Sequence, residues 1–177
     1  VQQLALSTAQ GFIEVENQSN EEVSLSLMLS RTPSANEIVK PAAKGVEIDV
    51  QYADWKGNAI TIDKLQQGEE LLAKIRVKKT NGSSPSMALT YAIPSGWEIW
   101  NERLTGGEES QGATYTDIRD TSISWYFAIE QGRTEEFVVR LRAAYGGQFV
   151  LPPTICEDMY NTSCRANTTN GLTIVVR

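Results

Sequence analysis

The sequence predicts an all-β protein: an antiparallel two-sheet β-sandwich with extra N-terminal strands. Three observations carry this. Apolar and polar residues alternate from end to end, as strands with one buried face require. Gly, Asn, Pro and Ser clusters separate the alternating runs at short intervals, as turns do. No stretch holds a helical period. With 177 residues and 41% hydrophobic content, the chain has enough material for a real core.

Taken in order, the strands explain themselves. Extended segments are expected near 2–6, 11–17 and 23–30, the last placing Val23, Leu25, Leu27 and Leu29 on one face. "RTPSANEIVKPAAKG", residues 31–45, then breaks the pattern with two prolines and small residues. Three strands are too few to bury a core alone, whereas the remainder has the size of a complete sandwich. The expected division is therefore 1–33, trailing strands of a preceding β domain, and 38–177, the sandwich itself.

Val46, Ile48, Val50 and Tyr52 define the next strand, and Leu71, Ala73, Ile75 and Val77 the one after. The basic run Lys74 to Lys79 reads as the solvent face of that strand. Lys64 to Leu72 tolerates a helix, but Gly68 and the strand that follows favour a loop. Residues 81–85 read as a hairpin loop. Ile123, Trp125, Phe127 and Ile129 form a further strand, as do Phe137, Val139, Leu141, Ala143 and Tyr145. "GLTIVVR" closes the chain as a strand.

Composition excludes several functions. A net charge of −6 argues against nucleic acid, whose phosphates need a clustered basic surface. No apolar run approaches the ~18 residues of a membrane helix. The absence of histidine removes Ser-His-Asp and Cys-His catalysis and most zinc chemistry. Acid pairs such as Glu69-Glu70, Glu108-Glu109, Glu135-Glu136 and Glu157-Asp158 are not preformed dyads, because neighbours on a strand point to opposite faces. Asp117 and Asp120 lack a recognisable calcium loop. No catalytic residue, metal site or cofactor is expected. Val1 opens the chain in what reads as folded sequence, so a piece of a longer protein is expected. Of the four tryptophans, Trp55 and Trp100 alone are candidate surface platforms for a sugar ring.

Several blocks, in order, resemble the C-terminal macroglobulin-like domain of bacterial α2-macroglobulins: "GVEIDVQYADWKGNAITIDKLQQGEELLAKIRV", "IPSGWEIWNERL", "DIRDTSISWYF", "VVRLRAAYGGQFVLPPTICEDMY" and "GLTIVV". The first 33 residues resemble the stretch that precedes that domain. The resemblance implies an immunoglobulin-like macroglobulin sandwich inside a protease-trapping inhibitor, exported to the periplasm or cell surface and anchored by lipid at the parent's N-terminus. Its partners would be the other domains of the parent, the thioester domain above all, and target proteases through the parent. Neither cysteine stands in a Cys-x-x-Gln motif, so the reactive thioester would lie elsewhere.

The same resemblance assigns Met159 and Tyr160 to a loop that leans on the thioester domain and keeps water from it, a task suited to a polarizable thioether and an aromatic ring. The competing reading packs both residues into the sandwich. Cys156 and Cys164 are expected to form a disulfide fixing that loop, worth roughly 2–3 kcal/mol for so short a closure; two reduced thiols are the other reading. A stand-alone binding module for a carbohydrate or cell-surface ligand is the alternative function.

Overall fold

The computed structural model describes residues 14–26, 37–100 and 112–177. The chain divides into two compact units, Val1–Ala35 and Asn36–Arg177. In the first unit, residues 14–26 form no strand. The Asn17 side chain instead organises a turn, its Oδ1 accepting from the Ser19 N–H at 3.0 Å and its Nδ2 donating to the Glu21 carbonyl at 2.8 Å. The strands expected near 11–17 and 23–30 are thus not formed in the parts that fall here. Alternation marks a strand only where a neighbour completes the ladder. The rest of those segments, and all of 2–6, lie outside the described residues.

Among its described residues the second unit contains thirteen strands and no helix: β1 Ala42–Lys44, β2 Val46–Ala53, β3 Lys64–Gln66, β4 Glu70–Lys79, β5 Ser84–Ala92, β6 Trp97–Ile99, β7 Tyr115–Arg119, β8 Ser122–Ile129, β9 Thr134–Ala143, β10 Gly147–Leu151, β11 Ile155–Asp158, β12 Arg165–Asn167 and β13 Gly171–Val176. One sheet has the order β1-β12-β11-β5-β8-β7, and the facing sheet β2-β4-β9-β6. A third, small sheet runs β10-β13-β3.

Alternation builds the core as expected. β4 turns Leu71, Ala73, Ile75 and Val77 inward, β9 contributes Phe137, Val139, Leu141 and Ala143, and β8 contributes Ile123, Trp125, Phe127 and Ile129. The sheets meet through rings: Phe137 lies 5.1 Å from Trp125 and 5.0 Å from Phe127, centroid to centroid. The hydroxyls of Tyr52 on β2 and Tyr91 on β5 bond each other at 3.2 Å. Burial pushes the Tyr91 phenol well above its ordinary range, with the Tyr52 oxygen adding to the rise.

Two local expectations change. Lys64–Gln66 is a strand, paired parallel to β13, because Leu65 has a place in the core. Three residues are too few to display a period. Residues 81–85 do not close a hairpin: β4 and β5 belong to different sheets, so the chain crosses from one layer to the other there.

Candidate functional site

β11 and β12 are short strands joined by residues 159–164, and this connection is built from its own polar groups. The Asp158 carboxylate accepts from the Tyr160 N–H at 2.9 Å and the Asn161 N–H at 3.0 Å. The Asn161 side chain accepts from Ser163 N–H at 3.1 Å, and the Asn161 carbonyl from Cys164 N–H at 2.9 Å. Asp158 N–H donates to the Cys164 carbonyl, and Met159 N–H to the Ser86 carbonyl on β5, each at 3.0 Å. Partial burial works to raise the Asp158 pKa. Hydrogen bonds from Ser84, Tyr160 and Asn161, with the Lys79 charge nearby, outweigh it and hold the carboxyl below its ordinary value.

A loop so tied has little freedom, yet it holds two apolar side chains outward. Tyr160 is 84% exposed and Met159 47%. Neither is a core residue: Tyr160 stands almost wholly in solvent, and about half of Met159 is covered.

The two cysteines lie beneath. Both are buried and free, so the disulfide expected between Cys156 and Cys164 is not formed in this structure. The register gives the reason. Cys156 stands opposite Ala166 and Asp158 faces Cys164, so the cysteines are diagonal neighbours. Diagonal positions lie about 7–8 Å apart, beyond the roughly 4.4–6.8 Å between Cα atoms that a disulfide spans. Burial raises the Cys156 thiol from 9.0 to about 12, with Cys164 and Glu157 adding to the rise and Lys79 opposing it.

Sequence reasoning missed Lys79. It belongs to the basic run assigned to solvent, but it is only 3% exposed. Its ammonium donates to the carbonyls of Gly45 at 3.1 Å and Asn81 at 2.5 Å and to Cys164 Sγ at 3.2 Å. The signal was present: the alternation that buries residues 71, 73, 75 and 77 also turns residue 79 inward.

The remaining candidates lie elsewhere. Trp55 and Trp100 both stack on Arg140, whose Cζ is 4.0 Å and 4.2 Å from the two ring centroids. Arg140 also pairs with Glu70 at 2.9 Å, and Trp55 Nε1 donates to the same carboxylate at 2.7 Å. The hydrogen bonds from Trp55 and Arg140, in that order, hold Glu70 below its ordinary value. The guanidinium covers one face of each ring, and Trp55 and Trp100 remain exposed. Trp97 and Trp125 are buried. Asp117 is paired with Arg119 at 2.8 Å and Glu136 with Arg76 at 2.7 Å. Glu108 and Glu109 lie outside the described residues. Among the described residues, no three His, Cys, Asp or Glu side chains group to hold a metal, and no helix is long and apolar enough to cross a membrane.

Fold and site together define a β-sandwich that presents a fixed, apolar loop tip. The family model described as the bacterial alpha-2-macroglobulin MG10 domain matches residues 45–162, and the chain belongs to that family. Curated relatives include alpha-2-macroglobulin of Pasteurella multocida, 24% identical over 80% of this chain and 7% of its own length, and that of Escherichia coli K12, 23% identical over 93% and 11%. The chain therefore spans about a tenth or less of those relatives.

Solved structures agree in fold. Native Escherichia coli alpha-2-macroglobulin from domain MG7 to the C-terminus superposes with a TM-score of 0.70 at 23% identity, covering 77% of this chain and 24% of that one. Salmonella alpha-2-macroglobulin reacted with methylamine gives 0.71 at 24% identity, covering 80% and 10%.

Proposed function

We propose that this chain is a non-catalytic module of a bacterial α2-macroglobulin-like protease-trapping inhibitor, and that its β11–β12 loop packs against the thioester domain of the parent. On this reading Met159 and Tyr160 cover the thioester and keep water from its carbonyl. The parent is exported, in the periplasm or at the cell surface, with a lipid anchor at its own N-terminus; target proteases meet the parent, not this module. The observation that carries the reading is the loop itself. A backbone fixed by hydrogen bonds on both sides presents a half-exposed Met and an almost fully exposed Tyr. Ordering costs that a flexible loop would face on docking are already met.

The test is the parent protein carrying Met159→Ala and Tyr160→Ala, challenged with methylamine before any protease is added. The cover reading expects amine incorporation into the thioester to rise several-fold over the unaltered parent. Incorporation unchanged in a folded double variant overturns it.

A further inference from the structure

We propose that Lys79 is a positioning residue for the Met159–Tyr160 loop: a buried cation that ties the loop's C-terminal end to the rest of the sandwich. An ammonium has three donors and no acceptor. Here all three are used, and the acceptors come from three different connections: Gly45 in the β1–β2 turn, Asn81 in the crossover from β4 to β5, and Cys164 at the end of the loop. Nothing in the core demands a cation at the end of β4, and burying one is costly unless its partners converge. They do converge, at the buried end of the loop where Cys164 stands.

The neighbouring backbone follows the same arrangement. Thr80 N–H and Asn81 N–H both point at the Gly45 carbonyl, at 3.1 Å and 3.4 Å. Gly45, at φ 73°, lies beside the loop's end: an added Cβ would be in contact with Cys164 Sγ at 3.4 Å. The Lys79 charge also favours the ionised Asp158 that caps the loop's first turn. β11 and β12 have only four and three residues, held on their outer sides by β5 and β1.

The inference takes from the proposed function only the loop's importance, and its test reads the loop alone. Amide exchange is followed residue by residue in the 177-residue chain, with Lys79→Met and, separately, Cys164→Ala. Lys79→Met keeps the chain length and removes the donors. The amides of Asp158, Met159 and Cys164 should lose about tenfold in protection, as the loss of charged hydrogen bonds implies, while those of Leu89 and Phe127 keep theirs. Cys164→Ala, which removes one acceptor and leaves Lys79 in place, should give a smaller loss at the same amides and carries the test if Lys79→Met does not fold. Loss spread evenly over loop and core would make Lys79 an ordinary stabilising residue and overturn the proposal; so would unchanged loop amides. Methylamine incorporation by the parent tests the cover separately, so a failure of either reading leaves the other legible.

Discussion

Truncating the loop tip should cost the sandwich less than truncating a core methionine, which is measurable in this chain without its parent. Tyr160 is 84% exposed. Aromatic side chains bury about 150–250 Å² when fully enclosed, so at ~25 cal/mol per Å² the small covered part of Tyr160 is worth about 1 kcal/mol or less. Met159, 47% exposed, holds roughly half of the 1.5–3 kcal/mol that complete burial of such a side chain contributes. The backbone bonds Met159 N–H to Ser86 and Tyr160 N–H to Asp158 survive alanine. Met159→Ala with Tyr160→Ala should therefore cost about 1–2.5 kcal/mol.

Met87 on β5 is the internal control, with the same side chain at 0% exposure. Met87→Ala should cost about 2–5 kcal/mol through the cavity it leaves. Urea unfolding followed by tryptophan fluorescence compares the two variants, and with slopes of roughly 1–3 kcal/mol per molar the control should lose the larger midpoint. If the loop double variant falls further than Met87→Ala, the pair carries packing energy and the cover reading loses its structural basis.

Gly96 should not accept a side chain, since an added Cβ would stand 2.1 Å from the Phe149 ring. Gly96→Ala should lower stability by about 1–3 kcal/mol through that overpacking, and Phe149→Leu added to it should recover part of the loss in the same urea assay. The chain should also lose stability in alkali. The Cys156 thiol is raised from 9.0 to about 12 in the folded state, so its contribution is whole below pH 9 and is lost as pH rises towards 12, about 4 kcal/mol by the end. Cys156→Ala should flatten the fall in urea midpoint between pH 9 and 12, and a slope identical to the unaltered chain would show that this thiol does not drive it.

Alternation succeeded wherever a strand was long and had a core to face. β4, β8 and β9 could be read directly because a face buried along eight to ten residues leaves its period in the sequence. β3 could not, having three residues and a single buried side chain. The crossing at residues 81–85 was also hidden, because the same turn-forming residues serve a hairpin and a step between layers; only the partner of β5 decides, and that partner is β8 and β11, remote in sequence.

Lys79 shows a different limit. Residue type and residue position disagreed there: composition placed a lysine in solvent, and the period placed it inside. Position prevailed because the sandwich supplied three acceptors at the point where the chain leaves β4. The cysteines show the converse. Residue type and spacing argued for a bond between Cys156 and Cys164, and the β11–β12 register set them diagonally instead. In both cases pairing decided chemistry that single residues could not. The loop between them follows the same rule: Asp158 and Asn161 are ordinary surface residues by composition, and they become the frame of the site only because the strand pair ends where their side chains can reach the next N–H groups. The exposed Met159 and Tyr160 are thus a product of register as much as of sequence, and a partner domain would meet them already in place.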